Sequence, residues 1–168
     1  MIFPRFENSR IIDSIRDRYD PLATHVKPHI TLVFPFDSDI ESNVLREHIS
    51  SVLANITAFE VTLKGITPEN YFAKYLFLNI QKGGNEIIEL HKRLYTGILE
   101  NYFPKWLKGH IFLPHMTVGN FDNDDDFAIA INETRNITDS FITTVNEVSV
   151  EIIDENEDSI IEINIPLK

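Results

Sequence analysis

Four stretches of the chain carry hydrophobic residues that return every three or four positions, a spacing that predicts an amphipathic helix. In chain order they contain Ile11, Ile12, Ile15 and Tyr19; Ile40, Val44, Ile49 and Val52; Ile87, His91, Leu94 and Ile98; and Phe127, Ile131 and Ile137. Three of them are preceded by short polar residues that favour N-caps, namely Asn8 or Ser9, Ser38 or Asp39, and Asp124 or Asp125. The sequence therefore predicts four helices.

Short runs of β-branched and aromatic residues lie between these helices and predict strands. The runs cover 2–6, 59–63, 75–80, 141–153 and 160–165, together with the stretches that begin at Pro28 and Pro114. Pro4 lacks the backbone N–H that a central strand would use, so the first strand is expected at an edge or a bulge. The acidic turn 154–158 predicts a closing hairpin between the last two runs.

The predicted elements repeat along the chain. The segment PHITLVFPFD from Pro28 and the segment PHMTVGNFDN from Pro114 are each preceded by a strand and a helix and followed by a helix and a strand. No Pro/Gly/Ser-rich linker separates the two copies. We expect one α+β domain over residues 1–168, with halves of about 1–70 and 71–168 that form two pseudo-symmetric lobes. A single cleft between the lobes is the expected site.

Composition and charge limit the classes of partner that the protein is expected to bind. Of 168 residues 43% are hydrophobic, enough for a substantial core, and this excludes a mainly disordered chain. The net charge of −11 counts against duplex DNA or long RNA, because such binding depends on neutralising phosphates. With no cysteine there is no disulfide framework and no cysteine nucleophile. No apolar run approaches the roughly 18 residues that span a bilayer, so we expect a cytoplasmic protein with no membrane partner. We further expect a monomer.

The tetrapeptide Pro-His-hydrophobic-Thr occurs twice, at residues 28–31 and 114–117. In an extended strand residues two apart face the same side, so His29 projects beside Thr31, and His115 beside Thr117. A histidine gains or loses a proton near neutral pH, and a threonine hydroxyl donates to a phosphate oxygen. Two such units across one cleft favour metal-free cleavage of a phosphodiester, one histidine deprotonating the attacking group and the other protonating the leaving oxygen.

These two motifs, in this order on a duplicated α+β chain, resemble the pair of His-x-Thr/Ser motifs that defines the 2H phosphoesterase superfamily, in the branch of 2′-5′ RNA ligase-like proteins. The likeness covers nearly the whole chain. It implies lobes of antiparallel-rich sheet with outer helices, and cofactor-free hydrolysis of cyclic phosphodiesters of nucleotides or RNA ends, typically 2′,3′-cyclic phosphates. In that pattern His115 activates water, His29 protonates the departing ribose oxygen, and Thr31 and Thr117 bind the phosphate.

Further candidates for substrate orientation come from lysine, arginine and aromatic residues near the motifs. Such side chains stack a base or attract an anion. They are Lys27 before the first motif, Tyr71, Phe72 and Lys74 between the repeats, Arg5 near the N-terminus, and Lys105, Trp106 and Lys108 before the second motif.

The remaining histidines and acidic residues are expected to be structural. His25 and His110 precede the motif histidines by four and five residues, and four residues of extended chain span roughly 13 Å, too far for one ion. No metal site is therefore expected. His48 and His91 lie on predicted helices and are expected at the surface or its boundary. The acidic run 122–126 lacks the glycine and the terminal glutamate of a calcium loop, so it favours a helix N-terminus.

Two other functions remain open at the level of the sequence. One is 2′-5′ phosphodiester chemistry, either cleavage or RNA end joining. The other is a non-catalytic module that binds a nucleotide in the same cleft, although sensing alone does not require a paired acid and base. In each case the expected partner is a small nucleotide or a short RNA terminus.

Overall fold

The computed structural model describes residues 1–168 and contains the four expected helices and six strands. The elements are α1 (Ser9–Tyr19), α2 (Ser42–Leu53), β1 (Phe59–Glu69), β2 (Lys74–Lys82), α3 (Gly84–Leu94), β3 (His115–Phe121), α4 (Asp124–Thr134), β4 (Ser140–Val145), β5 (Glu147–Ile153) and β6 (Ser159–Pro166). Two short 3₁₀ helices, Gly97–Tyr102 and Lys105–Leu107, precede β3. None of the helices has the length and hydropathy that a membrane crossing requires.

The strands form two antiparallel sheets of matching order. The first has the order β3-β2-β1-β4. The second is the β5–β6 hairpin, extended by Met1, whose carbonyl accepts from the N–H of Ser149 at 2.9 Å, and by Ile2 and Ile30, which exchange two hydrogen bonds of 2.9 Å. The order in the second sheet is therefore first motif, N-terminal segment, β5, β6. It matches the order β3-β2-β1-β4 of the first sheet, in which β3 carries the second motif. This confirms the expected α+β fold with two pseudo-symmetric lobes.

The position of the first strand differs from the prediction. Only Ile2 of the run 2–6 forms a bridge, and the short segment lies between Ile30 and β5 in the interior of its sheet. Pro4 is two residues beyond the bridged residue, so its missing N–H removes no hydrogen bond from the ladder.

Sheet membership crosses the repeat boundary. β1 comes from the first half of the sequence but pairs with β2 and β4, while the β5–β6 hairpin joins the N-terminal residues. The predicted strand 141–153 is therefore two strands, β4 and β5, separated by Asn146 and belonging to different sheets. Side-chain alternation gives no sign of this break, because it says which face is buried and not which sheet a strand joins.

Several helix ends also differ from the predictions. α3 ends at Leu94, short of Ile98, and Gly97 at φ 55° starts a separate 3₁₀ helix. The N-cap of α2 is Glu41 and not Ser38 or Asp39. Asn123 caps α4 in place of Asp124 or Asp125, because its side chain accepts the N–H of Asp126 at 2.9 Å. Ile137 lies beyond the end of α4. The acidic run does supply the first turn of that helix, as expected.

The helices cover the outer faces of the sheets. α1 and α4 pack on the first sheet, and α2 packs on α3 and β6. A connected core of 24 buried residues draws on both halves of the sequence. The other faces of the two sheets carry the motif histidines and threonines.

Candidate active site

Each motif histidine alternates with a fully buried hydrophobic residue. Ile30 and Met116 are 0% exposed, and they pair with Ile2 and Leu78. Because these side chains turn into the core, the histidine and threonine on either side of each must face away from it. The second motif lies at the start of β3, whereas the first is held by a single bridge and is not part of a regular strand.

The two histidines make the same hydrogen bond. Nδ1 of His29 donates to the carbonyl of Lys27 at 2.9 Å, and Nδ1 of His115 donates to the carbonyl of Leu113 at 2.8 Å. Since a carbonyl oxygen only accepts, each neutral ring carries its proton on Nδ1. Nε2 then presents a lone pair. No protein group forms a hydrogen bond with Nε2 of either ring. Since no buried side-chain polar atom lacks a partner, both Nε2 atoms are open to solvent.

Both histidines have depressed pKa values. Burial lowers the pKa of His29 and of His115 below 6.5, while the hydrogen bond that each ring donates partly offsets the shift. The positive charge of His29 further lowers the pKa of His115, so the two rings lie within electrostatic reach of each other. Glu151 raises the pKa of His29 against the opposing charges of Arg16 and the N-terminus, and Glu69 raises the pKa of His115.

The surroundings of the two rings differ in one respect. The ring of His115 stacks on Phe77 with centroids 3.6 Å apart and planes at 20°, and Tyr75 stacks behind Phe77 at 5.6 Å. His29 has only a tilted contact with Phe3 at 6.0 Å. The stack fixes the orientation of the His115 ring. Residues 75 and 77 alternate with the buried Leu76 and Leu78, which is the one sequence signal that could have placed this stack beside the site.

A buried ion pair supports the segment before the first motif. Arg16 and Asp20 have side chains only 3% and 5% exposed and lie 2.8 Å apart. The Arg16 guanidinium also donates to the carbonyls of Val26 at 2.8 Å and Leu22 at 3.3 Å. Arg16 therefore ties α1 to the turn that ends at Lys27, whose carbonyl accepts from His29. Sequence reasoning did not identify this anchor, because arginine on a helix is usually solvated.

His91 is buried, contrary to the prediction of a surface or boundary position. It is 3% exposed, its Nδ1 donates to the carbonyl of Leu32 at 2.7 Å, and its ring stacks on Phe112 at 3.8 Å. Leu32 follows the first motif and Phe112 precedes the second. His91 thus links the two motif segments from α3, and burial lowers its pKa.

The positively charged candidates occupy different places. Lys27 is exposed and, with Phe3 and His25, lines a cavity of about 370 Å³ beside the first motif. The Arg5 side chain is 91% exposed and lies 3.5 Å from Glu147. The Lys74 ammonium lies 3.5 Å from Asp124 at the start of α4.

The other two histidines named with the motifs lie in unrelated contacts. His25 Nδ1 is 2.8 Å from Asp158, and the ring of His110 packs near Phe72 with centroids 6.5 Å apart. A larger cavity, of about 550 Å³, lies between β5 and α2 and is lined by neither motif histidine.

Comparison with known proteins gives concordant results. The family model for the 2′-5′ RNA ligase superfamily matches residues 3–157, a range that includes both motifs. A Bacillus licheniformis protein named "Putative phosphoesterase" is 30% identical over 132 residues, covering 75% of this chain and 72% of the relative. A Staphylococcus aureus protein of the same description is 23% identical and covers 94% and 90%. In fold, the chain is similar to Escherichia coli LigT complexed with ATP, with a TM-score of 0.53 and 13% identity over 99% of this chain and 96% of that one.

Proposed function

The chain belongs to the 2′-5′ RNA ligase superfamily, and from this premise we propose that it is a phosphoesterase that hydrolyses cyclic phosphodiesters of nucleotides or RNA ends. The bond that breaks joins phosphorus to a ribose oxygen, as in a 2′,3′-cyclic phosphate. His29 and His115 perform acid and base catalysis. The observation that carries the proposal is the identical hydrogen bond of the two histidines, which leaves both Nε2 atoms available.

His115 is the base in this mechanism. Its neutral ring keeps the proton on Nδ1 against the Leu113 carbonyl, so Nε2 accepts a proton from the attacking water. The depressed pKa of His115 favours this neutral state, and the positive charge of His29 favours it further. Water attacks phosphorus as its proton passes to His115.

His29 is the acid. When protonated it donates from Nδ1 to Lys27 and from Nε2 to the leaving ribose oxygen, so that the alcohol departs neutral. Burial lowers the pKa of His29, whereas the hydrogen bond to the Lys27 carbonyl and the charge of Glu151 favour the protonated ring. Thr31 and Thr117 each lie two residues beyond a motif histidine and, like it, face away from the core, so that their hydroxyls donate to the non-bridging phosphate oxygens. All these groups belong to the chain itself, and the mechanism requires no metal ion.

A substrate panel tests the proposal. The protein is incubated with 2′,3′-cyclic nucleotides, ADP-ribose cyclic phosphate and 2′-5′ dinucleotides, with and without EDTA, and the products are resolved by phosphorus NMR. We expect conversion of a cyclic substrate to a monoester at the same rate in both conditions. Turnover of the 2′-5′ dinucleotides alone would instead assign 2′-5′ chemistry. Binding without turnover of any substrate would assign a nucleotide-binding module, and recovery only with Mn²⁺ or Zn²⁺ would contradict the metal-free mechanism.

The pH dependence of kcat/KM is expected to be bell-shaped with its optimum below 6.5. At low pH both rings are protonated and no base remains, and at high pH both are neutral and no acid remains. Because burial lowers the pKa of both histidines, both limbs shift to the acid side of an ordinary histidine, and they report the pair rather than either ring alone. Initial rates at low substrate concentration across the range check this, and a profile that is flat from pH 5 to 8 would contradict paired catalysis.

A further inference from the structure

Exposed aromatic side chains gather where the tip of the β1–β2 hairpin meets the segment before β3. Tyr71 is 79% exposed, Phe72 is 68% exposed and Trp106 is 52% exposed, and His110 is also exposed. We call these four residues the aromatic platform. Buried aromatic rings need no ligand to cover them, but rings this exposed leave apolar faces in water.

The platform brings separate parts of the chain together. Tyr71 and Phe72 form the tip of the β1–β2 hairpin, whereas Trp106 and His110 precede the second motif. Phe72 is the centre of the platform, with ring centroids 4.8 Å from Tyr71, 6.2 Å from Trp106 and 6.5 Å from His110. Trp106 also packs edge-to-face on Phe34 at 4.8 Å, in the segment that follows the first motif. The rings are thus held in place while their outer faces stay open.

Two connections run from the platform to the second motif. His110 is followed by Ile111 and Leu113, which are 81% and 70% exposed, and the Leu113 carbonyl accepts from His115. On the other side, Glu69 accepts the backbone N–H of Tyr71 at 2.6 Å. Glu69 lies opposite Tyr75 in the β1–β2 ladder, and the Tyr75 ring stacks on Phe77, which in turn stacks on His115. The platform is therefore linked to the second motif both along the chain and across the sheet.

The charges around the platform favour the binding of a negatively charged ligand. Lys105 and Lys108 flank Trp106, both are exposed, and neither takes part in an ion pair. Glu69 is the opposing charge, and one of its carboxylate oxygens accepts the Tyr71 N–H. In a chain of net charge −11, two unpaired lysines beside open aromatic rings are a local exception. Exposed rings with adjacent cations are the means by which proteins bind single-stranded nucleic acid, since every base has a face to stack.

We propose that the aromatic platform stacks the bases of the last few nucleotides of a single-stranded RNA whose terminal phosphodiester lies between His29 and His115. The platform makes an RNA end, rather than a mononucleotide, the preferred substrate. The identity of the terminal reaction rests on the proposed function, but binding to the platform does not. A stacked base contributes about tenfold to a hundredfold in affinity, and the protein's overall negative charge limits the contact to a short end.

The binding test uses the single tryptophan of the chain. A short oligouridylate of about four nucleotides with a 3′-phosphate, which contains no cyclic bond to cleave, is titrated at low ionic strength while the fluorescence of Trp106 is recorded. We expect saturable quenching. An abasic oligomer with the same number of phosphates is expected to give none, because it has the charge without the rings. Equal quenching by both oligomers would overturn the stacking proposal.

Variants connect the signal to the platform. Phe72→Ala is expected to weaken oligouridylate binding at least about tenfold. The matched control is Ile129→Ala, which removes a residue that is 50% exposed on α4, and it is expected to bind as the unmodified protein does. Because Phe72 is exposed, its removal should leave the fold intact, as circular dichroism checks. Unchanged binding by Phe72→Ala, or concentration-dependent association of the protein that this variant abolishes, would overturn the proposal, the second result assigning the patch to a second copy of the chain.

The activity test separates this proposal from the proposed function. In Phe72→Ala, the ratio of kcat/KM for an oligomer ending in a 2′,3′-cyclic phosphate to kcat/KM for the cyclic mononucleotide is expected to fall at least about tenfold. An unchanged ratio would overturn the platform even where both substrates are hydrolysed. Base-dependent quenching with no hydrolysis of either substrate would support the platform and contradict the phosphoesterase function.

Discussion

Alanine at either His29 or His115 is expected to lower kcat/KM by about 10² to 10⁴, the usual contribution of a general acid or base. At about 1.36 kcal/mol for each factor of ten, this is a loss of about 3 to 5.5 kcal/mol of transition-state stabilisation. The double variant should lose less than the sum of the two, because the histidines act on one transition state. Steady-state kinetics on a cyclic phosphodiester measures all three variants. His48→Ala is the control, since His48 is a half-buried histidine on α2 whose ring makes one long hydrogen bond, to the Leu94 carbonyl at 3.4 Å.

The same variants assign the two roles. A phosphodiester with p-nitrophenolate as its leaving group needs no protonation on departure, so His29→Ala should recover much of its activity on that substrate. His115→Ala should not recover, because the attacking water still lacks its base. Recovery of His115→Ala alone would reverse the roles. Activity of both variants within a few-fold of the unmodified protein would remove the histidines from the mechanism.

Arg16→Met is expected to destabilise the folded protein by about 3 to 5 kcal/mol, the usual cost of removing one partner of a buried ion pair. The substitution leaves the Asp20 carboxylate buried without its counter-charge. It also strips a donor from the carbonyls of Val26 and Leu22. Urea denaturation followed by circular dichroism measures the change in the free energy of unfolding.

Two comparisons make this prediction specific. Arg93 and Glu89 form an ion pair with the same four-residue spacing on α3, but their side chains are 40% and 49% exposed. Arg93→Met should therefore cost only about 0.5 kcal/mol. The double variant Arg16→Met/Asp20→Leu should recover part of the loss, because no unpaired charge remains buried. Equal effects of Arg16→Met and Arg93→Met would show that burial of the first pair does not matter.

Local sequence patterns were sufficient to predict the features that depend only on residues close to one another in the chain. The four helices follow from apolar residues spaced three or four apart, and the acidic run at 124–126 forms the first turn of α4 as expected. The alternation in His29-Ile30-Thr31 and His115-Met116-Thr117 placed the hydrophobic member in the core, where both are 0% exposed. The duplicated motif and the family resemblance predicted the fold class. Each of these inferences needs only the geometry of one helix or one strand.

The tertiary structure alone decided which distant segments meet. Alternation shows that a strand has a buried face but not which sheet it joins, so neither the break at Asn146 nor the interior position of Ile2 could be deduced. Burial of the charged Arg16 and of His91 depends on partners from other segments, the carbonyls of Val26 and Leu32. The stack of Phe77 on His115 likewise requires the pairing of β2 with β3. The sequence by itself therefore determined which side chains are the candidates for the chemistry, and the long-range packing, which satisfies buried polar groups across the chain, decided how they are held.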